Sequence, residues 1–369
     1  MIDKRRLVET FIRLVKIDSL SLKEAQVVAY LQKELKNLGL VSFLAGKPRG
    51  GEIGNLIADV PGRGAKKPRL LLNAHVDTVG PGQKIRPIRR KNVIRTNGST
   101  VLGADDKTGV AVILEVLRVL KENRLKHPPI RVIFTVAEEI GIMGAKALPK
   151  SLLKADLGIV LDSGEFNKIL NQAPAQINMT AVIYGKAAHA GIHPENGINA
   201  IKVAAAAINK MRLGRIDKET TANIGVIKGG KATNIIPDEV MLKGEARSHD
   251  PKKLNRQIKQ MQVGLRKEGR KAGAKIMFKL EKMYPAYRVK ENSRIFDLVA
   301  RAVRRAGGKP IAKTTGGGSD ANIFNALGVP CLNLGTGMHN VHTTREYARI
   351  SDMIKGAEVV LNFIQELIR

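Results

Sequence analysis

The sequence predicts an α/β protein with a central, mostly parallel sheet and a second α/β domain inserted into the first. Three apolar segments of strand length end abruptly in polar residues, which is typical of buried parallel strands that carry functional residues at their carboxyl ends. From residue 176 onwards, apolar and polar residues alternate, as they do in half-exposed strands. The length of 369 residues also favours two domains over one.

The composition limits the classes of partner. Lys and Arg number 63 and Asp and Glu 33, and the resulting formal net charge of +30 can attract nucleic acid or other anionic surfaces. The basic residues are scattered, however, and form only short clusters such as residues 4–6 and 89–91. Aromatic residues make up 4% of the chain, with no Trp, which leaves little for base stacking. We therefore interpret the surplus as a solvated surface and expect no nucleic-acid partner.

Cellular location is predicted from apolar runs and cysteine usage. No apolar stretch is long enough to span a membrane, and the N-terminal residues lack the apolar core of a signal peptide. We therefore predict a cytoplasmic protein without a membrane partner. The single cysteine, Cys331, lies in an apolar run and is predicted to be a buried structural thiol.

Two helices and a short strand are predicted at the start of the chain. Apolar residues recur at helical spacing within residues 2–17. Ser21 and Glu24 have the spacing of a capping box, so the second helix is expected to begin at Ser21 and to end at Gly39. A short strand over residues 55–60 follows, within a segment rich in Gly, Pro and Lys.

The three apolar segments, residues 70–74, 131–137 and 157–161, are predicted to be neighbouring strands of the central sheet. In an open α/β sheet the ligand crevice lies outside the carboxyl ends of the strands, so the residues that follow these segments should converge. A set of His, Glu and Asp side chains at one place suggests a metal site. The residues at the three ends are His75 and Asp77, Glu138 and Glu139, and Asp162.

A further pair of carboxylates, Asp105 and Asp106, precedes a helix predicted over residues 109–121. Acidic residues directly before a helix are more often caps than ligands. The neighbouring strand ends favour a place in the site instead. The segment of residues 80–99, which leads to this pair, is interpreted as a polar excursion from the sheet.

The alternating segments predict an inserted domain at residues 177–287, between two parts of the first domain at residues 1–176 and 288–369. Their order of strand, helix, strand, strand, helix, strand is that of a ferredoxin-like α/β unit. The predicted strands are residues 176–184, 221–227, 239–247 and 275–283, and the helices are residues 199–211 and 251–272. The first domain then continues with a helix at 292–306, a glycine-rich loop at 314–320, a strand at 330–334 and a closing helix from 351.

Six short blocks together resemble a known family, the di-zinc amidohydrolases that include peptidase T, carboxypeptidase G, the aminoacylases and succinyl-diaminopimelate desuccinylase. Each block is weak alone, but they occur in the family's order over nearly the whole chain. The resemblance implies a zinc-peptidase-like catalytic domain with an inserted lid or dimerisation domain, and so a homodimer. The blocks are His75-Val76-Asp77-Thr78, Gly103-Ala104-Asp105-Asp106-Lys107, Glu138-Glu139, Asp162-Ser163-Gly164, Ala188-His189-Ala190-Gly191 and Val341-His342-Thr343.

The resemblance implies two zinc ions, or other divalent metals such as Co²⁺ or Mn²⁺, held by His75, Asp105, Glu139, Asp162 and His342. Asp105 would bridge the two ions. His75 and Asp162 would complete one site, and Glu139 and His342 the other. His339 competes with His342 as a ligand, but the family pattern places a Glu four residues after the histidine, and Glu346 selects His342. The peptide bond between Asp105 and Asp106 is expected to be cis.

The resemblance also implies roles in catalysis. Glu138 would be the general base that accepts a proton from water and passes it to the leaving amine. Asp77 would accept a hydrogen bond from His75 and fix its tautomer. His189, from the inserted domain, would help to stabilise the oxyanion of the tetrahedral intermediate.

Substrate contacts are implied for four further residues. Arg247 would grip a carboxylate of the substrate, and Asn234 also matches a contact position. Gly317 and Gly318 would add main-chain N–H donors. The alternatives are an ion pair at a strand edge for Arg247, a turn for Asn234, and a tight turn for the glycine-rich loop.

These residues predict a zinc-dependent exopeptidase that hydrolyses short peptides. The peptidase T-like branch, and so a tripeptide aminopeptidase, is favoured by Gly317-Gly318-Ser319-Asp320-Ala321-Asn322 and by Ala188-His189-Ala190-Gly191. An N-acyl amino acid deacylase or a carboxypeptidase on the same scaffold is the alternative. A basic nucleic-acid-binding protein with a relict site is a remote one.

Overall fold

The structure, a computed structural model, describes residues 2–368 and divides into two compact units. The first unit runs up to Gln172 and includes Tyr287–Thr315 and the chain from Ser319 onwards. The second unit consists of Ala173–Ala286 with Gly316–Gly318. The predicted α/β class, with a large central sheet and a second α/β unit inserted into the first, is confirmed.

The elements are labelled in chain order. The first unit begins with α1 (Lys4–Val15), α2 (Ala25–Asn37), β1 (Ser42–Ala45), β2 (Asn55–Val60), β3 (Leu70–His75), β4 (Ile88–Arg90), β5 (Val93–Arg95), α3 (Ala104–Glu122), β6 (Ile130–Thr135), α4 (Met143–Lys146), β7 (Leu157–Ser163) and β8 (Lys168–Ala173). The second unit contains β9 (Ala175–Tyr184), α5 (Ala200–Asn209), β10 (Gly214–Arg215), β11 (Thr220–Gly229), β12 (Glu239–Ser248), α6 (Pro251–Ala272) and β13 (Lys275–Tyr284). The first unit resumes with β14 (Tyr287–Arg288), α7 (Arg294–Arg305), β15 (Ile311–Thr314), α8 (Asp320–Ala326), β16 (Cys331–Gly335), β17 (Met338–His339), β18 (Tyr347–Arg349) and α9 (Ile350–Glu366).

The central sheet of the first unit has the strand order β1-β2-β6-β3-β7-β16-β8-β14, and β15 pairs with β8. The pairs β3–β6, β3–β7 and β7–β16 are parallel. Every residue of β3 and β6 is buried, which explains their mostly apolar character. Because β6, β3 and β7 are neighbours and parallel, their carboxyl ends meet at one edge of the sheet.

Helix α3 packs very closely against β7. A Cβ at Gly109 would lie 2.3 Å from the main-chain oxygen of Leu161 and 2.5 Å from Asp106 Oδ1, so only glycine fits here. The residues at the start of α3, Asp105 and Asp106, have non-helical backbone angles, and the regular helix follows them. The close packing brings both carboxylates to the edge where β3, β6 and β7 end.

The segment of residues 80–99, interpreted from the sequence as a polar excursion, lies outside the central sheet but has strands that were not predicted. It contains the hairpin β4–β5, which joins a small antiparallel sheet of order β17-β18-β5-β4. Each strand of the hairpin has only three residues, which is too short for alternation to be recognised. Pairing of β5 with β18, about 250 residues further along the chain, is tertiary and has no local sequence signal.

The capping box predicted at the start of the second helix is also wrong. Helix α2 begins at Ala25, and Ser21 does not cap it. The Ser21 hydroxyl donates to Asp77 Oδ2 at 2.7 Å. Glu24 Oε1 accepts hydrogen bonds from the main-chain N–H groups of Leu22 and Ala137. Asp77 and Ala137, which are distant in sequence, therefore bind the side chains that the predicted cap would have used.

The second unit has the predicted element order, with β9, β11, β12 and β13 in an antiparallel sheet of order β10-β11-β12-β9-β13. Its core lies between this sheet and the helices α5 and α6, and it includes Met179, Ile183, Leu242 and Leu265. Cys331, in β16 of the first unit, is buried as predicted. Within residues 2–368, no helix combines the length and the apolar character that crossing a membrane requires.

Candidate active site

The end of β3 places His75 and Asp77 in the interior of the first unit. His75 Nε2 lies 2.9 Å from Asp105 Oδ1. His75 Nδ1 lies 3.1 Å from the main-chain oxygen of Asp77 and 3.3 Å from its Oδ1. Burial alone would lower the pKa of His75, but hydrogen bonds with the Asp105 and Asp77 carboxylates raise the pKa well above its ordinary value. Both ring nitrogens therefore have fixed partners.

Asp105 lies between two imidazole rings. Its Oδ1 faces His75, and its Oδ2 is 3.3 Å from His342 Nε2, which is itself 2.8 Å from Glu139 Oε2. Burial would raise the pKa of Asp105, but hydrogen bonds with His342 and His75 hold it well below its ordinary range. The same contacts with Asp105 and Glu139 raise the pKa of His342 to about 10. The peptide bond from Asp105 to Asp106 is cis, as the resemblance implies.

Glu139 and Asp162 bring two more carboxylates to this edge of the sheet. Burial raises the pKa of Glu139, against the effect of its hydrogen bond with His342. Burial and the charge of Asp105 raise the pKa of Asp162 well above its ordinary value. The Asp162 N–H donates to Asn333 Oδ1 at 3.0 Å, which fixes the end of β7 against β16. Burial, with a smaller effect from the charges of neighbouring carboxylates, therefore disfavours the ionised forms of both residues.

The arrangement fits a divalent metal ion. One ligand atom from each of His75, Asp105 and Glu139 lies within 4.8 Å of the other two. Glu139 Oε1 is buried and has no hydrogen-bond partner among residues 2–368. Imidazole nitrogens and carboxylate oxygens are typical ligands of Zn²⁺, Mn²⁺ and Co²⁺. The cluster therefore contains three of the five ligands that the family resemblance implies, His75, Asp105 and Glu139.

Asp77 connects three parts of this site through one carboxylate. Its Oδ1 accepts the N–H of Glu138 at 2.9 Å, and its Oδ2 accepts the N–H of Glu139 at 3.1 Å and the hydroxyl of Ser21. Burial would raise the pKa of Asp77, but hydrogen bonds with His75 and Ser21 lower it. Asp77 therefore stays charged while it faces His75 and fixes the turn that carries Glu138 and Glu139.

Glu138 is buried beside the cluster, with 9% of its surface exposed. Burial raises the pKa of Glu138 well above its ordinary value. The charge of His75 opposes this rise, and the charges of Asp162 and Asp320 add to it. A buried carboxylate beside the cluster suits a group that accepts and returns a proton.

In the sequence, Asp320 ends the glycine-rich loop and lies within the block Gly317–Asn322, but no role in the site was predicted for it. It is buried at the start of α8, and its Oδ2 accepts a hydrogen bond from the Thr135 hydroxyl at the end of β6. Burial raises the pKa of Asp320 to about 6. The acidic residue directly after a glycine-rich loop is the signal in the sequence that points to this position.

Glu24 and Glu346 act on the site through the main chain, and the sequence did not reveal this. Glu346 accepts N–H groups from Leu102 at 2.6 Å, Gly103 at 2.8 Å and Asp105 at 3.0 Å. Glu24 accepts the main-chain N–H of Ala137 at 2.9 Å. Ala137, which directly precedes Glu138, has a positive φ of 50°. Each carboxylate therefore holds a segment that presents a candidate ligand or base.

Two other predicted residues, His189 and Asn234, lie on adjoining segments of the second unit. Both side chains are exposed, and Ala190 N–H donates to the main-chain oxygen of Asn234 at 2.9 Å. His189 Nδ1 accepts the N–H of Gly191 at 3.2 Å, which orients the imidazole ring.

Arg247 forms a two-point ion pair with Glu245 in the second unit. Its Nε lies 3.0 Å from Glu245 Oε1 and its Nη2 3.1 Å from Oε2. Its Nη1 donates to the main-chain oxygen of Gly316 at 3.3 Å, so Arg247 also contacts the loop that contains Gly317 and Gly318. A Cβ at Gly318 would lie 2.3 Å from the ring of Tyr284, which explains a glycine there.

Comparison with known proteins identifies relatives over the full length. The sequence profile described as Peptidase family M20/M25/M40 matches residues 71–366. The crystal structure of a tripeptidase from Staphylococcus aureus subsp. aureus Mu50 is 39% identical over 100% of both chains, with a TM-score of 0.95. That of aminopeptidase PepT from Bacillus cereus ATCC 10987 is 39% identical over 100% of both chains, with a TM-score of 0.90. Carboxypeptidase G2 from Pseudomonas sp. (strain RS-16) is 30% identical over 92% of this chain and 83% of its own.

Proposed function

Because the chain belongs to peptidase family M20/M25/M40 and is a metal-dependent peptide-bond hydrolase, we propose that it is a zinc aminopeptidase that releases the N-terminal residue of tripeptides. The observation that carries the proposal is the position of Asp105 between His75 and His342, with Glu139 against His342. With one carboxylate oxygen facing each histidine, Asp105 would supply a ligand atom to each of two metal ions. Identity of 39% over whole chains with a tripeptidase and with an aminopeptidase supports the choice of substrate.

The proposed metal ligands are His75, Asp105, Glu139, Asp162 and His342. Zinc is the first choice because histidine and carboxylate ligands without cysteine are typical of catalytic zinc sites, and Co²⁺ or Mn²⁺ suit the same ligands. When bound, the two ions polarise the peptide carbonyl and stabilise the negative charge that develops on its oxygen.

The chain's own side chains then handle the proton. Glu138 accepts a proton from the attacking water at its carboxylate and returns it to the nitrogen of the leaving amine. The Asp77 carboxylate accepts the main-chain N–H of Glu138 and lies 3.3 Å from Nδ1 of His75. It therefore fixes the proposed base and the proposed metal ligand relative to each other. Burial of Glu138 keeps bulk water from competing for this proton.

For the second unit, we propose the roles that the family resemblance implies. His189 donates a hydrogen bond to the developing oxyanion. Arg247, Asn234, Gly317 and Gly318 contact the peptide substrate. The two-point pair with Glu245 holds the guanidinium of Arg247 in one orientation, which prepares it for a carboxylate.

A carboxypeptidase or N-acyl amino acid deacylase is the second candidate, because carboxypeptidase G2 is 30% identical over 92% of this chain.

We also propose a homodimer formed through the second unit and a cytoplasmic location. Sedimentation of the purified protein and fractionation of the source cells test these two proposals.

Hydrolysis of matched substrates tests the proposed activity. The panel is a free tripeptide, the same peptide acetylated at its N-terminus, the same peptide amidated at its C-terminus, and an N-acyl amino acid, each with zinc-loaded protein. We expect cleavage of the free tripeptide at its first bond and loss of cleavage on acetylation. Turnover confined to the N-acyl amino acid, or release of the C-terminal residue, would replace the aminopeptidase with the second candidate.

A further inference from the structure

The small sheet of the first unit carries three arginines on one face. Strand β5 pairs with β4 on one side and with β18 on the other. Its Arg95 lies opposite Ile88 and Tyr347. Its Val93 lies opposite Arg90 and Arg349. Residues directly opposite in antiparallel strands point to the same face, as do residues two apart in one strand. Arg90, Arg95 and Arg349 therefore share a face, while Ile94 and Ala348 on the other face are buried.

This face forms one wall of a cavity of about 750 Å³. The loop of residues 96–98 and the segment of residues 340–347 form the rest of the lining and bring a fourth arginine, Arg345. Asn97, Thr344 and Tyr347 add polar groups. A volume of this size is in the range of small-molecule sites, about 300–1,000 Å³.

The positive charge of this cavity is poorly compensated. Among residues 2–368, only Arg349 of the four arginines has a carboxylate partner, Asp352 at 3.2 Å. Glu346 also lines the cavity, but its carboxylate is buried and accepts three main-chain N–H groups instead. Arg95 lies diagonally across from both Arg90 and Arg349, within reach of such long side chains, so an anionic ligand would offset the repulsion between their charges.

The spacing of the arginines favours a ligand with several anionic groups. Arg90 and Arg349 lie on strands separated by β5, and strands two apart in a sheet are about 10 Å apart. Guanidinium groups bind phosphate oxygens in a two-point geometry. We propose that this cavity binds a small oligophosphate, and the proposal does not depend on the peptidase activity.

Nucleic acid is the other polyanion to consider, and the cavity disfavours it. Binding of single strands relies on aromatic side chains that stack on bases. The one aromatic residue that lines the cavity is Tyr347, and its ring already stacks on His339, with centroids 4.8 Å apart. The cavity therefore provides charge without a free stacking surface.

Calorimetric titration of the full-length protein with tripolyphosphate tests the proposal. Divalent metal is removed first, because metal ions would bind the probe themselves. The test variants are Arg90→Gln and Arg95→Gln. Arg89→Gln is the matched control, because Arg89 is exposed and lies in the same strand with its side chain on the opposite face. Thermal unfolding of each variant shows whether it is folded.

We expect saturable binding by the wild type, about tenfold weaker binding for each test variant, and little change for the control. Equal loss in all three variants would mean unspecific attraction to net charge and would overturn the proposal. Absence of saturable binding by the wild type would also overturn it. So would binding of a short single-stranded RNA that is weakened by Arg90→Gln and Arg95→Gln, without binding of tripolyphosphate.

Discussion

At the scale of single residues, the site depends on carboxylates whose partners are main-chain N–H groups. Asp77 holds the turn with Glu138 and Glu139, Glu346 holds the segment with Asp105, and Glu24 holds Ala137. A carboxylate that accepts several N–H groups fixes a backbone more firmly than a single pair of neutral groups does. The orientation of the proposed metal ligands Asp105 and Glu139 therefore depends on acids outside the proposed ligand set.

Glu24→Gln should change how stability depends on pH. Burial raises the pKa of Glu24 from 4.5 in the unfolded chain to about 7. Both states are protonated below the unfolded pKa. Between pH 4.5 and pH 7 the unfolded chain loses the Glu24 proton before the folded protein does, so the free energy of unfolding of the wild type falls as pH rises. Above pH 7 this loss reaches its full value of about 3 kcal/mol. Gln stays neutral and avoids this loss.

Urea unfolding of metal-free wild type and Glu24→Gln at pH 5 and pH 8 measures the effect. The stability of the variant relative to the wild type should rise between the two pH values. Glu52→Gln, which removes the same charge from an exposed position, is the control. A difference between Glu24→Gln and wild type that is the same at both pH values would contradict the assigned role of Glu24.

Glu346→Ala should both destabilise the protein and weaken metal binding. The substitution leaves three main-chain N–H groups near Asp105 without their acceptor, and each buried orphan costs about 1–3 kcal/mol. Urea unfolding of the metal-free protein and zinc titration should show both losses, and Glu346→Gln, which keeps one acceptor oxygen, should show smaller ones. Unchanged zinc affinity in Glu346→Ala would contradict the role of Glu346 in positioning Asp105.

At the scale of elements, the sequence predicted what depends on local pattern. The apolar runs of β3, β6 and β7 end in the residues that form the site, and the alternating strands of the second unit were also recognised. The capping box predicted at Ser21 was wrong, and the hairpin β4–β5 was not predicted. In both cases partners distant in sequence determine the structure. Asp320 and Glu24 were missed as parts of the site for the same reason.

Two helical glycines provide a matched test of packing at the element scale. A Cβ at Gly109 in α3 would clash with the Leu161 carbonyl at 2.3 Å, whereas a Cβ at Gly264 in α6 would have no atom within 4 Å. Gly109→Ala should therefore lower the free energy of unfolding by about 1–3 kcal/mol. Gly264→Ala should raise it by about 0.5–1 kcal/mol through helix propensity. Chemical denaturation measures both, and equal effects would contradict the close packing of α3 on β7.

At the scale of the whole molecule, a net charge of +30 should make stability depend on salt. Self-repulsion opposes the compact state and is screened as ionic strength increases. The melting temperature of metal-free protein should therefore rise when sodium chloride is added to a low-salt buffer. A fall would mean that the ion pairs outweigh the repulsion.

The measurement that most directly tests the central claim is zinc titration of metal-free protein, with tripeptide hydrolysis and zinc binding followed together. Wild type should bind about two equivalents and reach full activity only with the second. Glu138→Gln should bind the same amount of zinc but hydrolyse the peptide about 10²–10⁴-fold more slowly, because it lacks the base. Full activity with one equivalent, or an active Glu138→Gln variant, would contradict the proposed site.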